Sequence, residues 1–284
     1  MKYSIIIATL NREDVVGNSI ESVLEQNYSD LEIIVVDQSE NEETKKVVES
    51  FNDERIKYIR INKKGLSNAR NEGIKSSKGK YICLLDDDAE YNEKFFEIID
   101  EVIEKNKDIS IIGGKVEDKV TSRVFLNGMD NIQRKVKFDE FDKCLVSSAL
   151  VIDYKELEKI NYFDDKFGVG AIYGSGEETD MILRIAYNND NIVYVPGAIV
   201  YHPYPEKNTI NPIKAFRYGE GFGALCKKHY KRYGNNRMLY IYLKSVFKQF
   251  IAFFIYSMKF DKEKAMYYKK SILGKFRGFQ NYEL

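Results

Sequence analysis

The sequence predicts an α/β protein whose doubly wound, mostly parallel sheet is followed by a C-terminal helical extension. Over the first 110 residues, short apolar runs alternate with segments of helical spacing, which is typical of parallel strands joined by helices. The runs at 3–10 and 80–88 are apolar almost throughout, as in strands that are buried on both faces. From residue 211 onward, the apolar spacing is helical.

The first half of the chain predicts five strands and four helices. In chain order these are strand 3–10, helix 13–26, strand 31–37, helix 42–51, strand 55–61, helix 66–77, strand 80–88, helix 92–105 and strand 108–114. The middle predicts a buried strand within 144–152, a glycine-rich loop at 163–176, a helix at 177–190 and two short strands around Pro196-Gly197. Three further helices are predicted at 211–232, 236–258 and 261–277.

The charge of the chain is unevenly distributed. Its 44 Lys+Arg balance its 44 Asp+Glu. Residues 226–284, however, hold 14 basic and 3 acidic residues, a net charge of +11, so residues 1–225 carry −11. A nucleic-acid partner is disfavoured, because the acidic part holds the candidate site and that site is built of carboxylates. The basic tail leaves charge-assisted contact with a membrane open.

The cysteines and the N-terminus indicate the cytoplasm. Cys83, Cys144 and Cys226 lie far apart without a C-x-x-C pair, so neither a zinc site nor a disulfide framework is expected. The apolar run at 3–10 is short and is followed at once by charges, which favours a buried strand over a signal peptide.

Polar residues at the ends of predicted strands form the first candidate site. Thr9, Asp37 and the run Asp86-Asp87-Asp88 all lie where strands end, and ligands of doubly wound sheets bind outside the carboxyl ends of the strands. Alternate acids there can hold a hard divalent cation. The alternative for the triplet is a solvated acidic loop, and the alternative for Asp37 is a turn or cap residue.

Two further residues could join this site. Arg70 follows a glycine turn and could meet a phosphate or a base carbonyl, although a solvated helix surface explains it equally well. His202 follows a late strand, where it is either a hydrogen-bonded structural residue or a metal ligand.

The remaining candidate acids and the second histidine can be explained by structural roles as well as by functional ones. Glu177, Glu178 and Asp180 open a helix after Gly-Ser-Gly, where acids usually serve the helix dipole; a general base on a closing loop is the functional alternative. His229, among lysines, is expected on the surface. P-loop, dinucleotide-binding and nucleophile-elbow motifs are absent from the sequence.

Six strings, taken in order, resemble family-2 glycosyltransferases with the glycosyltransferase-A (nucleotide-diphospho-sugar transferase) fold. They are SIIIATLNRED, LEIIVVDQSEN, GLSNARNEGI, YICLLDDDAE, GSGEETDMILRI and VYVPGAIVYHP, and the resemblance covers roughly residues 3–230. It implies nucleotide binding by Thr9, Asp37, Arg70, Asp86 and Asp87. It also implies a Mn²⁺ or Mg²⁺ ion held by Asp86, Asp88 and His202.

The resemblance also implies a mechanism. The string G-E-E-T-D is similar to the family's G-E-D-x-D, so Glu178 is the implied general base, one methylene longer than the usual Asp, with Asp180 and Glu177 as neighbours that could substitute. The implied reaction is metal-dependent, inverting transfer of a sugar from a nucleotide diphosphate, by family habit UDP, to an acceptor hydroxyl in a cell-surface polysaccharide or glycolipid. A sugar-nucleotide nucleotidyltransferase and a non-catalytic nucleotide-sugar or glycan binding module are the rival hypotheses.

The expected domains are a catalytic domain at 1–212, with a nucleotide-binding half at 1–90 and an acceptor half at 91–212, and a basic amphipathic extension at 213–284. In the extension, the uncharged run 249–258 is too short to span a bilayer. Its apolar face either lies in a membrane interface or packs on the catalytic domain or a second subunit. The expected location is the cytoplasm, with the inner face of the cell membrane as a peripheral site.

Overall fold

A computed structural model describes residues 1–26, 28–204 and 210–283. The described residues divide into two compact units. The first unit takes residues 1–164 and 181–204, and the second takes residues 165–180 and 210–283.

The first unit holds a nine-stranded sheet. In chain order its strands are β1 (Tyr3–Thr9), β2 (Leu31–Asp37), β3 (Ile56–Arg60), β4 (Tyr81–Asp86), β5 (Glu90–Tyr91), β6 (Ile111–Glu117), β7 (Arg134–Lys135), β8 (Leu150–Asp153) and β9 (Ile192–Tyr201). Their spatial order is β3-β2-β1-β4-β8-β6-β9-β5, and β7 pairs with β9.

Seven α-helices of the described residues accompany this sheet. They are α1 (Val16–Leu24), α2 (Glu43–Ser50), α3 (Leu66–Lys75), α4 (Phe95–Lys105), α5 (Phe141–Cys144), α6 (Tyr154–Lys159) and α7 (Glu177–Ala186), of which α7 begins in the second unit and continues into the first. All except α5 and α6 were predicted. Each of α1, α2 and α4 buries one apolar face, as amphipathic helices do when they cover a sheet.

Parallel pairing dominates the first half of the sheet only. Strand β1 lies between β2 and β4, and β3 adds to β2, all in parallel. Strand β8 runs antiparallel to both β4 and β6, and β5 and β7 run antiparallel to β9. The second half is therefore mixed, because β8 enters the sheet in the reverse direction between two strands of the first direction.

Two predicted strands differ in detail. Residues around Pro196-Gly197 lie within the single strand β9, because a bulge there absorbs the proline: Gly114 pairs with Val195 and Lys115 with Ile199. Proline lacks an N–H donor, so it sits where the ladder is interrupted. In the predicted strand 144–152, only the last three residues belong to a strand, β8, and residues 147–149 form a 3₁₀ turn before it.

The second unit contains three long helices close to the predicted ones. They are α8 (Pro212–Arg232), α9 (Asn236–Met258) and α10 (Lys262–Asn281). Each begins at a side-chain cap: Asn211 accepts from the N–H groups of Ile213 and Lys214, and Asn235 and Asp261 cap the other two. Such caps satisfy N–H groups that the helix itself leaves unbonded.

Glycines let α8 and α10 touch through their backbones. A Cβ atom at Gly223 would lie 2.1 Å from the carbonyl oxygen of Lys275, and one at Gly278 would lie 2.0 Å from that of Glu220. Real side chains never approach backbone oxygens so closely, so both positions require glycine as the helices stand. Helix α9 packs beside this pair more conventionally, through stacked rings such as Tyr242 on Phe279 at 4.3 Å.

The division into compact units differs from the predicted boundary at residue 212, since residues 165–180 belong with the C-terminal helices. Phe167 and Tyr173 pack against Tyr282, with ring centroids 5.9 and 5.7 Å away. Asp180 is fully buried and lies 2.6 Å from Lys228 Nζ. Aromatic packing and a buried ion pair thus fix this segment to the helices.

The ion pair of Asp180 includes a third residue. His229 Nε2 lies 3.0 Å from the same carboxylate oxygen, and His229 is fully buried. Tyr233 stacks on the imidazole at 5.2 Å. The expectation of a surface position for His229 is therefore wrong, because a buried carboxylate 49 residues away in the chain holds it inside the unit.

We predict that Asp180→Asn destabilises the second unit. The change leaves the buried Lys228 ammonium without this carboxylate, and breaking a buried ion pair typically costs about 3–5 kcal/mol. Urea unfolding followed by the helical signal measures the loss. Asp190→Asn is the control, since Asp190 is 77% exposed in its pair with Lys135, and should shift stability by less than about 0.5 kcal/mol. Equal stability of the two variants would contradict the structural role.

A lysine is buried between the three C-terminal helices. Lys275 of α10 is 5% exposed, donates from Nζ to Ser245 Oγ of α9, and lies over the ring of Phe222 of α8 at 4.7 Å. Burial lowers the pKa of Lys275 to about 8, because loss of water disfavours the ammonium form.

We predict that this lysine makes stability depend on pH. Between pH 8 and its ordinary pKa of 10.5, the unfolded chain binds the proton and the folded chain does not, so the free energy of unfolding rises with pH. Lys275→Met should remove that rise and add about 1–3 kcal/mol at pH 7, the cost of burying the charge. Urea unfolding across this range measures both effects. Lys270→Met, at an exposed site of the same helix, should keep the wild-type slope; a Lys275→Met curve parallel to wild type would refute the assignment.

Candidate functional site

The ends of β1, β2 and β4 meet at one edge of the sheet. Thr9 lies opposite Asp37, and Ala8 lies opposite Asp86. After β4 the chain turns sharply, with the Ala89 N–H donating to the Asp86 carbonyl at 3.1 Å. The hydroxyl of Ser19, on α1, donates to the same carbonyl at 3.2 Å. Residues 86–88 thus lie in a tight turn in which the Asp86 carbonyl accepts two hydrogen bonds.

The short strand β5 brings His202 to this turn. Glu90 of β5 pairs with Tyr201, the last residue of β9, so the residue after β9 lies beside the turn that precedes β5. The His202 N–H donates to the Glu117 carbonyl at 3.0 Å, and Phe125 meets the imidazole edge-on at 4.8 Å. The imidazole is therefore fixed by strand pairing, a backbone hydrogen bond and a ring contact.

The imidazole presents one nitrogen to two carboxylates. His202 Nε2 lies 3.2 Å from Asp88 Oδ1 and 3.8 Å from Asp86 Oδ2. His202 Nδ1 lies 2.9 Å from the carbonyl oxygen of Pro203. A carbonyl oxygen can only accept, so Nδ1 carries a hydrogen in this contact. A backbone carbonyl on the far nitrogen is the usual support of a metal-binding histidine.

Two arginines occupy the other oxygens of the same carboxylates. Arg70 donates to Asp86 Oδ1 at 3.0 Å, and Arg12 donates to Asp88 Oδ2. Each carboxylate thus turns one oxygen to an arginine and the other toward His202. This division is what a shared cation would need: part of the acidic charge is balanced, and one oxygen of each carboxylate stays directed at the imidazole.

Asp86, Asp88 and His202 fit a divalent cation in the kind of atoms that they offer. Carboxylate oxygens suit Mg²⁺ and Mn²⁺, and an imidazole nitrogen suits Mn²⁺ and other transition metals. Within the described ranges, no group of three or more acidic, cysteine or histidine side chains is already arranged so that it could hold a metal ion. The three residues meet in pairs instead, and the 3.8 Å separation of Asp86 from His202 is the wider one.

Asp87 is the most buried acid of the turn, with 14% of its side chain exposed. Burial raises the pKa of Asp87 to about 6, and the adjacent Asp86 and Asp88 add to the rise while Arg12 opposes it. The middle acid therefore differs from its neighbours, which are 28% and 23% exposed.

Asp37 has the turn role that was one alternative for it. Its side chain is fully buried, Oδ1 accepts from the Ser39 N–H at 2.8 Å, and Oδ2 accepts from the Tyr58 hydroxyl at 2.7 Å. Arg60 lies 3.7 Å from Oδ2. The nucleotide-binding roles of Asp37 and Thr9 stay predictions.

Arg70 is also more enclosed than its sequence pattern indicates. It is 3% exposed and lies 5.7 Å from the ring of Phe163 in addition to its bond with Asp86. Its predicted contact with a nucleotide stays a prediction. Arg12 is not among the predicted site residues. It lies three residues after the end of β1, and this position near the acidic strand ends could have indicated a role in the site.

The acidic start of α7 lies in the second unit. Glu177 and Glu178 are partly exposed there. Asp180 has no exposed surface and is bound by Lys228 and His229. Because a general base must reach the proton that it removes, the suggestion that Asp180 substitutes for Glu178 is wrong.

Comparison with known sequences finds relatives among enzymes that act on lipid-linked sugars. A GalNAc(5)-diNAcBac-PP-undecaprenol beta-1,3-glucosyltransferase of Campylobacter jejuni is 38% identical over 94 residues, which are 31% of this chain and 30% of that protein. The UDP-Glc:alpha-D-GlcNAc-diphosphoundecaprenol beta-1,3-glucosyltransferase WfaP of Escherichia coli is 42% identical over 86 residues, 30% of this chain and 34% of the relative. These alignments span about a third of each relative.

Solved structures confirm the fold class. TarS of S. aureus, residues 1–349 in complex with UDP-GlcNAc, superimposes with a TM-score of 0.65 at 17% identity, over 81% of this chain and 67% of that one. The predicted glycosyltransferase-A type of α/β fold with C-terminal helices is thereby confirmed. The model of the family described as glycosyl transferase family 2 matches residues 4–148, just over half of the chain. The match includes the ends of β1, β2 and β4 but not that of β9. On this match, the chain belongs to glycosyl transferase family 2.

Proposed function

We propose that this protein is a metal-dependent, inverting glycosyltransferase that moves a sugar from a UDP-sugar to a hydroxyl of a lipid-linked glycan. The observation that carries the proposal is the arrangement of Asp86, Asp88 and His202. Each of the two carboxylates bonds an arginine through one oxygen and directs the other oxygen at His202 Nε2. The three side chains lie at the sheet edge where such folds bind nucleotides.

The donor class follows from the family and from the edge on which the site lies. The TarS structure holds UDP-GlcNAc and the name of WfaP specifies UDP-Glc, and this chain shares a family or a fold with them. The pocket for the uracil and ribose would lie at the ends of β1 and β2, beside Thr9, Asp37 and Asp86. Arg70, behind Asp86, would hold that carboxylate in place for the donor.

A Mn²⁺ or Mg²⁺ ion would be held by Asp86, Asp88 and His202. When bound, it would offset the negative charge that develops on the departing diphosphate. Arg12 and Arg70 would keep both carboxylates oriented. Because Arg70 bonds Oδ1 of Asp86 and Arg12 bonds Oδ2 of Asp88, Oδ2 of Asp86 and Oδ1 of Asp88 would remain for the ion.

Glu178 would act as the general base. The acceptor oxygen forms a bond to the anomeric carbon while the bond from that carbon to the diphosphate oxygen breaks, and the electron pair leaves with the diphosphate. Glu178 takes the proton of the acceptor hydroxyl. Attack opposite to the leaving group inverts the anomeric configuration.

The acceptor class is proposed from the relatives. The names of the Campylobacter jejuni and Escherichia coli relatives specify undecaprenol-linked acceptors. A lipid-linked acceptor places the reaction at a membrane, and a chain with three buried free cysteines suits the reducing cytoplasmic side. We therefore propose a cytoplasmic protein that works at the inner face of the cell membrane.

The first prediction for this function concerns donor and cation. UDP-sugars should raise the melting temperature when Mn²⁺ is present and much less after chelation, since a ligand that binds only the folded state stabilises it. Asp88→Asn should lose most of the Mn²⁺-dependent part, because Asp88 Oδ1 faces the ion site. Differential scanning fluorimetry with a panel of nucleotide sugars measures both.

Asp190→Asn, an exposed acid-to-amide change, is the matched control and should behave as wild type. Transfer that survives exhaustive chelation at full rate would overturn the metal assignment. Stabilisation by a nucleotide sugar without any transfer or donor hydrolysis would favour a binding module over an enzyme.

The second prediction concerns the base. Glu178→Gln should keep donor-dependent stabilisation and lower kcat by about 10²–10⁴-fold, the usual contribution of a general base. Steady-state transfer assays, together with the melting shift by donor, separate the two effects. Glu101→Gln, at a site 63% exposed, is the control. Near-normal turnover of Glu178→Gln would move the base to another residue, with Glu177 as the next to test.

A further inference from the structure

Helix α9 exposes a long apolar face. Its exposed members include Phe247 and Phe254, at 66% and 61%, and Met258 at 80%. The other exposed apolar residues of this helix are Tyr240, Leu243, Phe250, Ile251 and Ile255. Single exposed apolar residues are ordinary on protein surfaces, but a contiguous row of this size marks an interaction site.

This row lies opposite the face that α9 uses for packing. The buried residues Met238, Tyr242 and Val246 repeat every four positions, so they form one stripe along the helix. At about 100° per residue, Phe247 and Phe254 fall on the far side from that stripe. The exposed row is therefore a second apolar face, in addition to the one that holds α9 to its unit.

The positions of the basic residues in α9 indicate which kind of partner the exposed face can bind. By length and composition, α9 is the one helix of the described residues that could cross a membrane, with mean hydropathy 1.4 over a window that is 17% buried. The uncharged run 249–258 is too short to span a bilayer, but the whole helix is long enough. Lys244 and Lys248, however, lie at its middle, where a spanning helix would put both charges at the costly centre of the bilayer.

A helix that lies flat in the interface has no such conflict. Arg237, Lys244 and Lys248 fall along one flank of the apolar row, and Lys244 and Lys248 are exposed. Headgroup-level lysines beside buried phenylalanines are the arrangement of interfacial helices on anionic lipid. The net charge of +11 in residues 226–284 adds long-range attraction to such a surface.

The apolar face also continues onto the neighbouring helix. Phe276 of α10 is 46% exposed and its ring lies 6.3 Å from that of Phe250. Phe260, in the link between α9 and α10, is 87% exposed. The surface is thus the apolar side of a helical hairpin, with one basic flank on α9.

We propose that this face of α9, with the adjoining part of α10, docks in the interface of an anionic lipid surface. The phenylalanines would enter the acyl boundary while Lys244 and Lys248 contact headgroup phosphates. The inference deepens the proposed function, on which it rests for its purpose: it would hold the protein at the surface where a lipid-linked acceptor lies.

Vesicle flotation with the full chain tests this proposal. The probes are vesicles of phosphatidylcholine alone and of phosphatidylcholine with phosphatidylglycerol. Wild type should bind the anionic vesicles, and less so as salt is raised. Phe247→Gln with Phe254→Gln should weaken partitioning at least about tenfold. Lys244→Gln with Lys248→Gln should weaken it about tenfold or more on anionic vesicles only, as each lysine is worth about fivefold.

Val120→Gln with Ile132→Gln is the matched control, since these apolar residues of the first unit are 91% and 65% exposed. It should bind like wild type, and circular dichroism should show each variant folded. Wild type that stays unbound, or a phenylalanine double variant that binds fully, overturns the proposal. So does a wild-type dimer that the phenylalanine changes convert to a monomer without vesicle binding, since α9 would then join two copies.

The donor assay keeps this test separate from that of the proposed function. Both α9 double variants should retain Mn²⁺-dependent stabilisation by a UDP-sugar. Vesicle binding without that stabilisation would sink the glycosyltransferase proposal alone. Stabilisation without vesicle binding would sink the docking surface alone.

Discussion

The parallel register around β1 is the constraint on which the candidate site depends. Strand β1 pairs with β2 so that Thr9 faces Asp37, and with β4 so that Ala8 faces Asp86. A slip of one residue would turn every side chain to the opposite face of the sheet. All seven residues of β2 are buried, so such a slip would cost much of the core. The apolar strands therefore fix where the carboxylates emerge.

The balance of charge at the sheet edge determines which oxygens of the carboxylates remain available to a ligand. Three adjacent acids repel one another, and burial already raises the pKa of the middle one. Arg12 and Arg70 reduce the repulsion, yet each binds a single oxygen of its partner. The oxygens left over are the two nearest His202. The division leaves these two oxygens for the cation that we propose between the acids and the imidazole.

Features that depend on a local sequence pattern could be predicted from the sequence. Helices α8 and α9 begin within one residue of their predicted starts, and β2 has its predicted bounds, because caps and apolar runs are local signals. The acids at strand ends were found for the same reason. Strand β5, only two residues long, has no such signal, although it is what brings His202 to the acidic turn.

Contacts between residues distant in the chain could not be foreseen. Lysines around His229 indicated a surface position, whereas Asp180 draws both Lys228 and His229 inside. The same pair removes Asp180 from the candidates for a base, which no helix pattern could do. Arg12 had a signal in its place after β1, but its partner Asp88 lies 76 residues further on.

The exposed face of α9 is not explained by an incomplete core. The helix already has a regular buried stripe, and its aromatic contacts with α10 continue from Tyr242 on Phe279 to Tyr256 on Tyr268. Helices α8 and α10 touch through glycines, so the support beneath α9 is closely packed. A helix that needed only to finish this bundle would carry polar residues on its outer side. Eight exposed apolar residues there, with lysines at mid-helix, match the apolar and anionic layers of the lipid interface that we propose for this helix.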